Sequence, residues 1–552
     1  MTSWRIILDS IRQQPVFWII HFLSMTVFML LIQAQALVIG AFFDTLSGNV
    51  TYTIITLIIA LFGVRLLRNL MQYLFVWATP PFLERVSAHI RHILLTKIFR
   101  RPGARALNQS TGDVISRFRS DALNIPEHIL WLNESIALTL FAIVAIISML
   151  QINQIITIIA ILPLVVVVFI ARASAQRIEI YRHATQQQAA QVAEFISEIF
   201  SAAQSVKITG REHSIAQHFA SLNISRRNTA LKDRVFSQMI FSISNNSTSL
   251  STGLILLLSA PLLQNGAFTV AAFAVFVYYL EQLAWFIGRL GMVLARHHQL
   301  SVSIQRLGEL SDIDNKNLLR VDLVPTTTSQ KKLHTPLEEL SVENMTYTFP
   351  NTANGIYNID LTLHAGTLTV ITGEVGSGKT TLLRVLLGLL PMNSGAIYWN
   401  NQLVSDPRTF FVPPKSAYTP QIPHLFSAQL RDNILLDWEA TSSELMHTID
   451  LAVLSTDIRQ LDKGLETVVG PRGVKLSGGQ RQRAAAARMF VRDPHLLIFD
   501  DISSALDVNT ERSLWEHIRE SGKTCLAVSH RSLVVKQADQ VIRLQHGRIS
   551  EE

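Results

Sequence analysis

Residues 368–387 read Leu368-Thr369-Val370-Ile371-Thr372-Gly373-Glu374-Val375-Gly376-Ser377-Gly378-Lys379-Thr380-Thr381-Leu382-Leu383-Arg384-Val385-Leu386-Leu387. An apolar strand runs into a glycine-rich turn that ends in Lys379 and opens a leucine-rich helix, the setting a phosphate-binding loop requires. Glycines let backbone N–H groups wrap phosphate oxygens at a helix N-terminus. Lys379 then reaches the β- and γ-phosphates and the Thr380 hydroxyl serves Mg²⁺. Further along, Leu496-Leu497-Ile498-Phe499 forms a second apolar strand ending in Asp500, a carboxylate placed to hold Mg²⁺ beside such a loop.

A soluble nucleotide-binding unit accounts for only part of the chain. Its 552 residues are 49% hydrophobic and 16% charged, with mean hydropathy +0.28, too apolar for a soluble multidomain protein of that length. The apolar character is confined to the first three hundred or so positions, so a membrane half precedes a soluble half. The formal charge of +7 raises the possibility of nucleic acid. Residues 1–335 carry about +11 and residues 336–552 about −4, however, so the basic excess belongs to the membrane half and a nucleic-acid partner is excluded. The single cysteine, Cys525, excludes a disulfide framework or thiolate metal cluster and reads as a buried strand thiol.

Stretches 16–42, 53–77, 129–150, 154–173, 239–263 and 267–293 meet the length of about 20 apolar residues that a transmembrane helix needs. Met1 to Gln14 precedes the first and can lie on the membrane surface; the first span is too long for a cleavable signal. The turns near 44–52, 151–153 and 263–266 lack Lys and Arg, whereas 80–128 and 174–237 are rich in them. These two long segments and both termini are therefore expected in the cytoplasm, the segments as helical hairpins. Arg65, Arg68 and Glu281 fall at a similar depth, roughly 18–23 Å from the outer ends, where they could pair or line a substrate cavity. Ser242, Ser244, Asn245, Asn246, Ser247 and Thr248 make part of the fifth span polar, for a cavity or for interhelical hydrogen bonds. The expected divisions are a six-helix membrane domain over 1–310, a polar linker over 311–336 and a nucleotide-binding domain over 337–552.

Between the two strands of the soluble half lies Leu476-Ser477-Gly478-Gly479-Gln480-Arg481-Gln482-Arg483. Here the chain resembles the nucleotide-binding domain of ABC transporters, whose signature is the pentapeptide ending at Gln480. The resemblance implies an α/β P-loop ATPase domain with an additional helical subdomain, following a helical bundle of six transmembrane helices with long cytoplasmic extensions. It implies ATP and Mg²⁺ as cofactors, with Thr380, Gln421 and Asp500 at the metal. Gln421, in Tyr418-Thr419-Pro420-Gln421, resembles the Q-loop glutamine; Ser504-Ala505-Leu506-Asp507 resembles the D-loop; His530 resembles the switch histidine on the γ-phosphate. Phe349 stands where the family usually has a tyrosine stacking on adenine. Ser110 to Asp113 and Ser201 to Gln204 resemble coupling helices, or are ordinary hairpin tips. In this family the signature of one subunit completes the ATP site of the other, so a second half-transporter is implied.

Two departures matter. The family usually has glutamate directly after the Mg²⁺-binding aspartate, where it polarises the attacking water; this chain has Asp501. Shortening by one methylene withdraws the carboxylate by about an ångström, which can cost on the order of 100-fold in rate. With its signature Ser477, Gly478 and Gly479 intact, the chain resembles the weak-site subunit of heterodimeric exporters; a homodimer with two slow sites and a membrane-anchored ATP-binding regulator are the alternatives. The second departure is Pro471, where exporters commonly have glutamate. A bacterial inner membrane is the location the resemblance implies.

Overall fold

The computed structural model describes residues 2–48, 52–103, 111–264, 268–311 and 335–550. Two compact units emerge, one formed by Met1–Lys97 and Gln109–Val321, the other by Ile98–Asn108 and Asp322–Glu552.

The first unit is helical, with α1 (Thr2–Gln13), α2 (Pro15–Leu46), α3 (Ile54–Phe99), α4 (Thr111–Ser116), α5 (Ala122–Ile152), α6 (Gln154–Ser201), α7 (Ala203–Thr209), α8 (Glu212–Gln264) and α9 (Val270–Ser311). Helices are the natural outcome for apolar runs in lipid, because every backbone group is then satisfied within its own segment. Expected spans 16–42, 129–150, 154–173 and 239–263 fall inside helices, while the helices of the other two begin inside the expected stretches, at Ile54 and Val270. Among the described residues, Pro15–Leu46, Ile54–Phe99, Gly112–Ile152 and Gln154–Ser174 are long and apolar enough to cross a membrane, and Ser249–Gln264 and Val270–Phe286 are shorter apolar stretches. The chain is a multi-pass membrane protein.

Phe82, Val86, Ile90 and Leu94 recur every four residues on α3 and pack with Ile6 and Ile7 of α1, Ile125 and Ile129 of α5, and Leu300, Ile304 and Leu307 of α9. The N-terminal helix thus buries one edge in the bundle. A second cluster joins Met25, Met29 and Ile32 of α2 to Phe141 and Ala145 of α5 and Phe276 and Leu280 of α9. Helices α6 and α8 pair chiefly with each other. Between them Ser242, Asn246 and Ser247 line a cavity of about 780 Å³ with Leu162, Val166 and Leu250.

Arg65 and Arg68 do not form an ion pair with Glu281. Arg68 donates to Gln35 Oε1 at 3.3 Å and lies over the Phe28 ring, while Arg65 and Glu281 are exposed. Ion pairs between α5 and α9 join other residues: Arg289 to Glu134 at 2.5 Å and Arg296 to Glu127 at 3.4 Å, with both guanidinium groups against Trp131. Elsewhere in the unit, Arg117 bonds Asp113 and Glu309, and Arg306 bonds Asp113 and Asp121. Helices α4 and α7 begin at the expected hairpin tips and run past them, to Ser116 and Thr209; Ser110 and nearly all of the linker lie outside the described residues.

The second unit carries two sheets built from β1 (Glu339–Thr348), β2 (Gly355–His364), β3 (Leu368–Thr372), β4 (Ser394–Trp399), β5 (Gln402–Leu403), β6 (Ser416–Thr419), β7 (Leu496–Asp500), β8 (Thr524–Val528), β9 (Gln540–Gln545) and β10 (Arg548–Ile549). Strands β2-β1-β4-β5 form an antiparallel sheet. The other has the order β10-β9-β3-β8-β7-β6 and is parallel from β9 to β6. Every residue of β7 and β8 is buried, which explains their unbroken apolar sequences. Cys525 is one of them, and burial pushes its thiol well above the usual range. Helix α10 (Lys379–Leu386) packs Leu382 and Leu383 on one face of the sheet with Ile498 and Leu526. On the other face the helix Gly478–Phe490 and the short helices Leu430–Leu435 and Ser442–Leu451 share a core with Phe499 and Trp515.

Candidate nucleotide site

The strand order explains why residues far apart in sequence meet. Parallel strands β3, β8, β7 and β6 are neighbours, so their carboxyl ends lie side by side, where α/β sheets hold ligands. The phosphate loop leaves β3, His530 follows β8, Asp500 ends β7 and is followed by Asp501, and Gln421 follows β6. A cavity of about 360 Å³ is lined by Val375, Gly376, Gly378, Lys379, Thr380, Thr381, Gln421, Asp500, Asp501, Val528 and His530.

Gly373 sits where a Cβ would meet Leu544 O at 2.1 Å, so the loop can leave β3 only through a residue without a side chain. Lys379 Nζ donates to Gly373 O at 2.8 Å and Glu374 O at 2.6 Å, and lies 3.3 Å from Ser377 Oγ. Burial holds its pKa below the usual lysine range despite the nearby carboxylates of Asp500 and Asp501. Thr380 Oγ1 donates to Asp500 Oδ1 at 3.0 Å, and Tyr418 donates to Asp500 Oδ2 at 3.3 Å. Burial raises the Asp500 pKa, against the lowering effect of these two hydroxyls. Tyr418 is itself pushed up to about 12 by burial and by the adjacent carboxylate.

Asp501 donates its backbone N–H to Val528 O at 3.0 Å, and its Oδ2 accepts from Gln421 Nε2 at 3.3 Å. Its φ of 52° lies in the left-handed region, which aspartate tolerates better than most residues.

The signature residues lie outside this cavity's lining. Ser477 and Gln480 form a reciprocal capping box at the start of the helix Gly478–Phe490, with Ser477 Oγ accepting from the Gln480 backbone and Gln480 Oε1 accepting from the Ser477 backbone. A Cβ on Gly479 would meet Ala505 O at 2.9 Å, so the D-loop packs directly on the signature. Asp507 caps the helix Val508–Glu520 through the backbone N–H groups of Asn509 and Thr510. Phe349, beyond the cavity lining, meets Tyr347 edge-on at 5.1 Å.

Three residues at this site were not singled out by the sequence. Tyr418 and Arg384 stand at Asp500. Gln482 is buried; its amide donates to Ser504 Oγ at 2.8 Å and to Gln421 O at 3.4 Å, and its oxygen accepts from Ala505 N–H at 3.2 Å. One side chain thus fastens the Q-loop and the D-loop to the signature helix. The helical spacing Gln482-to-Ser477 was visible in the sequence, but its partners were not.

Thr380 Oγ1 and Asp500 Oδ1 offer hard oxygen donors at the foot of a phosphate loop, a set that fits Mg²⁺, which takes one or two carboxylates and completes its shell with phosphate and water. The geometry fits a nucleoside triphosphate with its metal.

Known proteins agree with this architecture. The family model described as ABC transporter transmembrane region matches residues 18–287, and the one described as ABC transporter matches residues 356–504. An ATP-dependent lipid A-core flippase of Bordetella avium is 26% identical over 510 residues, covering 89% of this chain and 83% of that protein. A probable multidrug resistance ABC transporter ATP-binding/permease protein of Bacillus subtilis, YheI, is 33% identical over 258 residues; the match spans only 44% of each protein's length. Among solved structures, a bacterial Atm1-family ABC exporter with ATP bound aligns with TM-score 0.74 and 21% identity, covering 98% of this chain and 95% of that one. With both family regions in one polypeptide, a helical membrane unit before a nucleotide-binding unit that binds ATP, the chain belongs to the ABC transporter family.

Proposed function

We propose that this chain is one half of a dimeric, ATP-hydrolysing exporter and that it supplies the slower of two composite ATP sites. The observation that carries the reading is the single cavity shared by Lys379, Thr380, Gln421, Asp500, Asp501 and His530, in a chain that also carries a membrane unit. Gly373 to Thr381 cradle the phosphates, Lys379 exchanges its loop carbonyls for phosphate oxygens, and Phe349 offers an aromatic face to adenine. Thr380, Gln421 and Asp500 hold Mg²⁺, which when bound neutralises charge on the β- and γ-phosphates. His530 addresses the γ-phosphate, and Asp501 orients the attacking water.

That last task is where the site is weak. Asp501 is one methylene shorter than glutamate and already engages Gln421, so it meets a water poorly and turnover is slow. Ser477, Gly478, Gly479 and Gln480 serve the site of a second half-transporter, which brings the longer carboxylate. Domain limits of 1–310, 311–336 and 337–552 follow, with the termini and the nucleotide-binding domain on the cytoplasmic side of a bacterial inner membrane and the spans in contact with lipid.

The test is isolation of the chain at its native level in mild detergent, with mass spectrometry of what copurifies in stoichiometric amount. A second half-transporter carrying glutamate at the position matching Asp501 supports the reading. Recovery of this chain alone as a dimer overturns the asymmetric form and leaves two equivalent slow sites. Reconstituted vesicles that hydrolyse ATP but move no compound that stimulates hydrolysis would make the chain an ATP-binding regulator.

A further inference from the structure

We infer that Tyr418 is a positioning residue that fixes the orientation of the Asp500 carboxylate and thereby sets how strongly metal and nucleotide reinforce each other at this site. The inference rests on the reading of Asp500 as the Mg²⁺-holding carboxylate.

Backbone register brings the pair together. Tyr418 of β6 stands opposite Ile498 of β7, and side chains two residues apart on a strand share a face, so Tyr418 projects on the same side as Asp500. That side is the one α10 covers, with Ile498, Leu382 and Leu383 in a common core against which Tyr418 packs. Thr419, the next residue, points to the opposite face and bonds Ala485 O and Met489. From the shared face the phenol extends past Ile498 to Asp500 Oδ2, while Thr380 reaches Oδ1 from the helix. Each carboxylate oxygen therefore has its own hydroxyl donor from a different element. Asp500 is 1% exposed, so water cannot replace either donor freely.

Two donors at opposite oxygens stop the carboxylate from turning about its last torsion. With Thr380 alone, the group can rotate about one fixed oxygen and lose its aim at the metal. Groups that orient a metal ligand typically account for 10–100-fold of metal affinity. Arg384, on α10, adds a positive charge beside both Tyr418 and Asp500, which favours the ionised carboxylate as the partner of the phenol.

The experiment measures the dissociation constant of a fluorescent non-hydrolysable ATP analogue on the full-length protein, once in EDTA and once in saturating Mn²⁺. The ratio of the two constants is the affinity gained from metal. For Tyr418→Phe the constant in EDTA should stay within about twofold of the parent, while the gain from Mn²⁺ falls by about tenfold. An undiminished gain overturns the inference. Weaker binding in EDTA with the gain intact also overturns it, since Tyr418 would then only support the loop. Asp500→Asn tells the two layers apart: if that variant keeps the full gain, the assignment of Asp500 to the metal fails; if it loses the gain while Tyr418→Phe keeps it, only the role of Tyr418 fails. Should Tyr418→Phe not fold, Arg384→Gln, with a smaller loss of the same gain, is the second variant, and no loss there counts against the inference.

Discussion

Strand β7 and helix α3 are both strongly apolar, yet all five residues of β7 are buried whereas only 6% of the most apolar window of α3 is buried within this chain. In the soluble unit apolar surface must leave water, so nearly every Leu, Ile and Val of the central strands finds a protein partner. In the membrane unit lipid is as good a neighbour as leucine, so hydrophobicity selects the span but does not choose its contacts. Polar anchors such as Arg289–Glu134 and close packing choose them. The chemistry of the soluble unit is thus assembled by its own core, and the faces of the membrane unit are left to lipid or to a second subunit.

The largest expected effect lies at the site the soluble core assembles. Lys379→Ala removes the only lysine in the cavity lining and should weaken ATP binding there by about tenfold to a hundredfold, measured by equilibrium titration. Asp501→Glu should raise ATP hydrolysis by the assembled protein, by up to about 100-fold if this site limits turnover. An unchanged rate would mean that the shorter carboxylate is no handicap or that the site never limits; the left-handed φ of residue 501 is the structural cost the longer side chain must meet.

Predictions in the membrane unit are smaller and separate anchors from bystanders. Glu134→Ala leaves Arg289, 22% exposed at its side chain, beside Trp131 and Trp285 without its carboxylate. About 2 kcal/mol should be lost, less than for a fully buried pair because both groups keep some solvent, and thermal denaturation in detergent at a fixed scan rate should show it. Glu281→Gln, at an exposed position without an ion pair among the described residues, should change stability by less than about 0.5 kcal/mol in the same assay. A large effect at Glu281 would mean that this face is engaged, by a substrate or a second subunit.

The same contrast explains what the sequence made legible. The phosphate loop could be read because its strand, turn and helix are contiguous, and Asp500 because it closes an apolar strand; Gln421 and His530 were legible only through the resemblance of their motifs to the family's. Tyr418 and Gln482 could not, since their partners depend on strand register and on how the D-loop folds back over a helix. In the membrane unit residue counting gave depth, which placed Arg65, Arg68 and Glu281 near one level. Depth is one coordinate, and rotation about each helix axis is another: Arg68 turns toward Gln35 and Phe28, while Arg65 and Glu281 stay exposed and make no ion pair with each other. Arg289 and Arg296 are seven residues apart, as are Glu127 and Glu134, a spacing that marks one helical face. Which faces oppose each other emerges only from packing.

Cys525 also bears on how the protein can be watched. The chain's one thiol sits in a fully buried central strand and is raised far from ionisation, so it stays silent toward thiol reagents while the domain is folded. A cysteine introduced at an exposed position such as Glu516 would then take essentially all of an added spin label. Paired with a second label on the partner half-transporter, it would report the opening and closing of the dimer as a distance distribution, with this chain's native sequence otherwise left intact.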